Sequence, residues 1–250
     1  MKSIYQTLKE EAFEANLQIP KNHLAIYTWG NVSAFDKSKG VFAIKPSGVP
    51  YDKLSVEDMV IMDLDGNKIE GKLNPSSDTK THVILYKNFE GICGITHTHS
   101  PYATAWAQAC RSIPLLGTTH ADHGCRPILC ARFLTEEEVK QGYEMNTGNV
   151  IVETMKNPSS AFPTQNGSPL PTEPLDPAID QMILLAGHGP FTWGNTADKS
   201  VYNASALEQI AQMAMWVANI NPEYKTLPKH IINKHYTRKH GKDAYYGQGN

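Results

Sequence analysis

The sequence lacks several features that would place it in large classes of protein. It has no marked excess of one charge, because 23 Lys and Arg face 25 Asp and Glu for a formal net charge of −2. We therefore expect no broad basic surface and no nucleic-acid partner. Apolar runs are short: the run at residues 181–186 is far too short to cross a bilayer, so no membrane partner is expected.

Cysteine pairs and nucleotide motifs are missing as well. The four cysteines, Cys93, Cys110, Cys125 and Cys130, form no CxxC pair, and the first 20 residues have no apolar core of the kind found in signal peptides. Both features predict reduced thiols in a cytoplasmic protein. Walker and GxGxxG patterns are absent, which argues against a bound nucleotide.

What is present is a globular composition with mixed helical and strand patterns. The 250 residues are 40% hydrophobic, which is enough to bury a core. Apolar periodicity and turn signals predict helices at 4–17, 77–88, 101–110, 135–155, 196–220 and 227–239, with the helix at 135–155 interrupted near Gly148. They predict strands at 24–29, 41–45, 59–64, 67–70, 92–99, 113–121 and 182–186. Regular βαβ alternation is missing, so residues 1–250 are predicted to form a single α/β domain. We expect three layers, with helices covering a largely antiparallel central sheet.

One stretch differs from the rest. Residues 157–177 hold six prolines in 21 positions, with Ser, Gly and Asn between them. Such composition predicts an inserted loop, interpreted as an ordinary surface excursion rather than a lid.

Two closely spaced histidines are the sharpest chemical signal. In GITHTHS, His97 and His99 stand two residues apart, so on a strand their side chains would share a face. Catalytic zinc takes three protein ligands and keeps one open position. His188, between two glycines in AGHGPF, is the candidate third ligand. The alternatives are a structural pair for the first two histidines and a turn residue for His188.

Three short polar turns are suited to an anion. They are GNVS at 30–33, KPSG at 45–48 and PSSD at 75–78, and each combines free backbone N–H groups with a small polar side chain. PSSD also opens a helix, whose N-terminal dipole favours phosphate. Lys45 adds positive charge. Singly each tetrapeptide is typical of a turn, but together with a metal they indicate a small phosphorylated substrate.

These motifs coincide with those of a known family. The sequence resembles the class II aldolase/epimerase family in GNVS, KPSG, NPSSDTKTH, ITHTHSPYATAWAQ, GTTHAD, TGNVIVET, GHGPFTWG and KHYTRKHGKDAYYGQ. HTH, SSD and GHG mark the wider family, whereas GTTHAD and AYYGQ favour its epimerase branch. The resemblance implies a class II aldolase-like fold and a homotetramer with sites near subunit interfaces. It also implies Zn²⁺ or another divalent ion such as Mn²⁺ or Co²⁺.

The resemblance also implies roles for individual residues. The metal would be held by the histidines of HTH and GHG, with Asp of SSD grouped beside them: His97, His99, His188 and Asp78. The substrate, chiefly its phosphate, would be held by Gly30, Asn31, Lys45, Ser47, Gly48, Ser76 and Ser77. Asp122 of HAD and Tyr246 of AYYGQ would be the catalytic acid/base pair.

The implied reaction converts L-ribulose 5-phosphate into D-xylulose 5-phosphate. The C4 hydrogen is not α to the carbonyl, so its removal would give no stabilised enolate. Retro-aldol cleavage of C3–C4 avoids that problem: the aldehyde fragment turns its other face and the bond re-forms. Two proton-transfer groups are needed because the C4 oxygen lies on opposite sides before and after inversion.

Three other functions account for parts of this sequence. A class II aldolase would release dihydroxyacetone or its phosphate and an aldehyde, but Glu is expected there where this chain has Asp78. A non-enzymatic scaffolding relative is expected to lose metal ligands that this chain keeps. Nucleic-acid binding by residues 225–242, with five Lys, one Arg and three His, is less plausible than a solvated helix face.

Overall fold

The centre of the molecule is one eight-stranded sheet. The structure, a computed structural model, describes residues 3–240 and 244–247. Within them the strands are β1 Asn31–Asp36, β2 Val41–Ile44, β3 Val60–Asp63, β4 Lys68–Glu70, β5 Gly94–His97, β6 Cys130–Ala131, β7 Met182–Leu185 and β8 Gly189–Gly194. Their order is β4-β3-β2-β1-β5-β8-β7-β6. Neighbouring strands are antiparallel except for the parallel pair β6 and β7.

Helices cover both faces of this sheet. In the described residues they are α1 Gln6–Lys21, α2 Thr79–Asn88, α3 Pro101–Gln108, α4 Thr118–Ala121, α5 Glu136–Lys156, α6 Ala197–Ile220 and α7 Lys229–Lys239. Side chains of β2 alternate between two cores: Phe42 and Ile44 pack with α2 and α5, whereas Val41 and Ala43 pack with α1. Helix α6 lies on that second face with α1 and α3. The predicted three-layer α/β architecture with a largely antiparallel sheet is confirmed.

Two predicted strands are wrong. Residues 24–29 form turns, with Tyr27 at a φ of 57°, and β1 begins only at Asn31. In residues 113–121, Ile113 makes one isolated bridge to Ile128 before the short α4. Neither segment joins the sheet as a strand, although Leu24 and Ile113 are buried. A short apolar run does not distinguish a strand from a buried turn. Similarly, the interruption expected near Gly148 lies at Gly142.

The proline-rich stretch is a packed surface segment. Phe162 N–H donates to the Cys130 carbonyl at 2.8 Å, so the segment pairs with β6 at the edge of the sheet. Further along, Leu175 is buried in the core, and the indole of Trp193 donates to the Pro177 carbonyl at 2.7 Å. These contacts tie the segment to the domain at both ends.

None of the helices in residues 3–240 and 244–247 is long and apolar enough to cross a bilayer.

Candidate active site

A cavity of about 770 Å³ opens where the end of β5 meets the turn between β7 and β8 and the start of α2. Its wall includes every residue that the sequence indicated for metal or substrate: Gly30, Asn31, Lys45, Ser47, Gly48, Ser76, Ser77, Asp78, His97, His99 and His188. Tertiary folding therefore brings three separate turns and three histidines to one place.

Three imidazoles converge in this cavity. His97 ends β5, His99 follows just beyond it, and His188 lies in the turn between β7 and β8. One potential ligand atom from each lies within 4.8 Å of the others. The Nε2 atoms of His97 and His99 are 3.2 Å apart. This spacing suits one ion shared by three nitrogens.

The protonation of the imidazoles also favours binding of a cation. His97 Nδ1 lies 2.9 Å from the Pro190 carbonyl, which only accepts, so Nδ1 carries the proton and Nε2 offers its lone pair. Burial and the neighbouring His97 lower the pKa of His99 to about 4. Burial, His97 and His99 lower the pKa of His188 to about 3. Both rings are consequently neutral at pH 7 and can act as ligands.

Asp78 lies at the same wall, immediately before α2. Its Oδ2 accepts a hydrogen bond from Asn31 Nδ2 at 2.7 Å. Burial alone would raise the pKa of this carboxyl, but His97, His82 and the Asn31 bond outweigh it and the pKa is lowered. Asp78 is therefore an anion beside the imidazoles, although the converging set of ligand atoms comprises the three histidines.

The polar turns are joined by backbone hydrogen bonds into one cradle. Ser47 N–H donates to the Asn74 carbonyl at 3.0 Å, and Ser76 N–H donates to the Lys45 carbonyl at 3.0 Å. Gly30 completes the wall with a φ of 76°, and a Cβ there would lie 2.8 Å from the His97 carbonyl oxygen. A side chain at this position would therefore push β5 and its histidine away.

Lys45 supplies the positive charge of the cradle. The residue is 1% exposed, and its Nζ lies 5.0 Å from the centre of the Tyr51 ring. Its hydrogen-bond acceptors in the described residues are the carbonyls of Thr28 and Pro46, at 3.5 and 3.4 Å. Burial lowers the pKa of Lys45 to about 8, so it is still mostly a cation at pH 7.

The residues expected to act as acid and base lie elsewhere in this chain. The carboxylate of Asp122 accepts from Arg238 at 3.0 and 2.6 Å and from His235 at 3.1 Å. Burial would raise the pKa of Asp122, but these bonds and Lys239 lower it to about 2. The Tyr246 ring lies 5.0 Å from the Arg238 guanidinium. Asp122 and Tyr246 thus share one basic cluster, and neither lines the 770 Å³ cavity.

Some cavity residues belong to none of the motifs that indicate a metal or phosphate site. Tyr143 and Glu144 of α5 and Thr28 and Trp29 before β1 also line it. The only sequence signal for the first pair is Gly142, a glycine inside a helical pattern. Thr28 and Trp29 belong to the segment 24–29, which the apolar pattern predicts as a strand and the structure shows as turns.

Comparison with known proteins connects this geometry to a family. Residues 10–215 match the family model described as the class II aldolase and adducin N-terminal domain. A Salmonella paratyphi B protein named L-ribulose-5-phosphate 4-epimerase UlaF is 46% identical over 243 residues, covering 97% of this chain and 99% of the relative. The Salmonella typhi protein of the same name is equally similar, at 46% over the same coverage.

Solved structures share the fold at lower sequence identity. An L-fuculose 1-phosphate aldolase superposes with a TM-score of 0.72 at 24% identity, covering 95% of this chain and 97% of its own. The aldolase of that name from Glaciozyma antarctica PI12 gives a TM-score of 0.71 at 16% identity, covering 96% of this chain and 84% of its own. At these identities the comparison establishes the fold alone.

Proposed function

Because this chain belongs to the class II aldolase and adducin family, we propose that it is a metal-dependent L-ribulose-5-phosphate 4-epimerase. It would convert L-ribulose 5-phosphate into D-xylulose 5-phosphate by breaking and re-forming the C3–C4 bond. The observation that carries this proposal is the near full-length similarity to the two Salmonella epimerases. A cavity that joins three imidazoles to an anion cradle supports it.

The donor set fits a divalent ion. Three imidazoles with nitrogens within 4.8 Å of one another match the three protein ligands of a catalytic zinc site. His97, His99 and His188 would hold the ion, and Asp78 is proposed beside them. When bound, the ion would supply Lewis acidity that stabilises negative charge on the enediolate oxygens. We propose Zn²⁺, with Mn²⁺ or Co²⁺ as possible substitutes.

The polar turns of the same cavity would hold the phosphate. The N-terminus of α2 directs free N–H groups and a positive dipole end toward an anion. The Lys45 ammonium adds a full charge, and the exposed hydroxyl of Ser77 lines the same wall. Holding the phosphate keeps the glycolaldehyde phosphate fragment in place while its aldehyde turns over.

Proton transfer at the C4 oxygen would come from Asp122 and Tyr246. Both groups lie outside the cavity of their own chain, in the cluster around Arg238. We propose that the protein is a homotetramer in which this cluster completes the cavity of a neighbouring subunit. One group would serve each face of the aldehyde, because the C4 oxygen changes sides on inversion.

We also propose a cytoplasmic location. Cys93, Cys110, Cys125 and Cys130 are all described as free thiols, as is typical of proteins in reducing compartments.

The direct test is product analysis. Purified protein with L-ribulose 5-phosphate should give D-xylulose 5-phosphate and no net free aldehyde, whereas release of dihydroxyacetone and glycolaldehyde phosphate would identify an aldolase instead. A chelator-treated sample should lose activity and regain it with Zn²⁺. Full activity in a metal-free sample would contradict the metal-dependent proposal.

A further inference from the structure

We propose that Tyr143 is a positioning residue that orients the imidazole of His188 for metal binding. The inference rests on the metal-site part of the proposed function, not on the identity of the sugar. The Tyr143 hydroxyl lies 3.2 Å from His188 Nδ1. The two rings are close to parallel, at 26° with centroids 6.0 Å apart.

His188 needs such support more than His97 does. It sits in a turn between two glycines, whereas His97 is held by a strand and by the Pro190 carbonyl. Within the described residues, Tyr143 is the hydrogen-bond partner of the His188 ring. If Nδ1–H of His188 donates to the Tyr143 oxygen, Nε2 keeps its lone pair for the ion. Such partners fix both the tautomer and the ring direction of a metal-binding histidine.

A break in α5 places Tyr143 there. Gly142 has φ 145° and ψ 99°, a conformation that side-chain-bearing residues rarely adopt. Asn146 Nδ2 donates to the Glu138 carbonyl across the break at 2.7 Å. Thr81 Oγ1 donates to the Glu144 carbonyl at 2.6 Å, which ties the residue after Tyr143 to α2. The break is thus hydrogen-bonded on both sides and presents Tyr143 to the cavity.

The test is a Co²⁺ titration of the apoprotein followed by visible absorption. Tyr143→Phe removes only the hydroxyl and should weaken Co²⁺ binding roughly 10- to 100-fold. The matched control is Tyr102→Phe on α3, a half-buried tyrosine outside the cavity, which should bind Co²⁺ like the wild type. In a His188→Ala background, Tyr143→Phe should have no further effect, because the hydroxyl acts through that ring.

A second variant tests the position of Tyr143 rather than its chemistry. In Gly142→Ala the added Cβ would meet only Met145, at 3.8 Å or more, so the effect comes from the backbone conformation. It should also weaken Co²⁺ binding. The control for backbone strain in general is Gly40→Ala. Gly40 also has a positive φ, and a Cβ added there would have no atom within 4 Å, so this variant should bind Co²⁺ normally.

The outcomes separate this inference from the broader proposal. Unchanged Co²⁺ affinity in folded Tyr143→Phe, or in Gly142→Ala if the first variant fails to fold, would overturn the positioning role. A Tyr143→Phe effect of equal size in the His188→Ala background would overturn it too. Wild-type protein that binds no Co²⁺ would overturn both the role and the metal site. Wild-type protein that binds Co²⁺ but does not epimerise the sugar would overturn the substrate assignment alone.

Discussion

The Nε2 atoms of His97 and His99 lie 3.2 Å apart although one residue separates the two histidines along the chain. Since the other nitrogen of His97 faces a carbonyl, its Nε2 presents a lone pair toward its neighbour. A cation between the two rings would offset the repulsion between facing lone pairs. His188 supplies a third nitrogen, within 4.8 Å of the other two. The spacing of the three nitrogens suits a divalent ion.

The first prediction concerns that ion. Purified protein should contain about one divalent ion per chain. His97→Ala should lose the ion and at least about 10³-fold in kcat/KM, because several kcal/mol of transition-state stabilisation are removed. Elemental analysis and steady-state kinetics measure the two effects. The exposed His230 on α7 provides the control, since His230→Ala should keep the metal. A metal-free His97→Ala protein with wild-type kinetics would contradict the assignment.

The second prediction concerns pH and the phosphate. The pKa of Lys45 is lowered to about 8, so its ammonium loses its proton as the pH rises through that value. A phosphate monoester, with a second pKa near ~6, stays doubly charged over the same range. KM for the phosphorylated sugar should therefore rise above about pH 8.

Two variants test the assignment to Lys45. Lys45→Arg keeps its charge and should flatten the pH profile, whereas Lys45→Met should have a high KM at every pH. The profile of log(kcat/KM) against pH measures this effect. An unchanged alkaline limb in the folded Lys45→Met protein would assign the titration to another group.

The third prediction separates bond cleavage from proton removal at carbon. Epimerisation in D₂O should leave the C4 hydrogen in place, because retro-aldol cleavage breaks C3–C4 and not C4–H. NMR of the D-xylulose 5-phosphate product measures deuterium at C4. Substrate incubated without protein is the control for background exchange. Deuterium at C4 of the enzymatic product would reject the retro-aldol scheme.

The fourth prediction tests whether subunits share sites. Asp122→Asn should lower kcat roughly 10²- to 10⁴-fold, as expected for loss of a proton-transfer group. When Asp122→Asn and His97→Ala chains are co-assembled, each cavity with intact histidines can meet an intact Asp122 from its neighbour. About a quarter of the sites should then work.

The control for this experiment is that each variant still assembles. Each inactive variant alone should form tetramers of the same size as the wild type, measured by light scattering. Mixed tetramers without recovered activity would show that Asp122 does not act in the neighbouring cavity.

Much of the site follows from local sequence. The two-residue spacing at the end of β5 brings the histidines of HTH together, although His99 lies just beyond the strand. Asp78 occupies the N-cap position of α2 without a side-chain capping hydrogen bond. Turn chemistry likewise identified the cradle at 30–33 and 45–48. These features depend on residues a few positions apart, so the backbone geometry of one element is enough to predict them.

Only the tertiary structure decided how distant pieces meet. His188 reaches His97 because β8 pairs with β5, and Asp122 meets Arg238 because α7 packs beside α4. Tyr143 reaches the cavity through a helix break at Gly142 that the sequence pattern had placed near Gly148. Residues 24–29 have the apolar content of a strand but form turns that leave Ile26, Tyr27 and Trp29 exposed. Apolar content does not tell whether a segment pairs in the sheet, because the packing of the whole chain decides that.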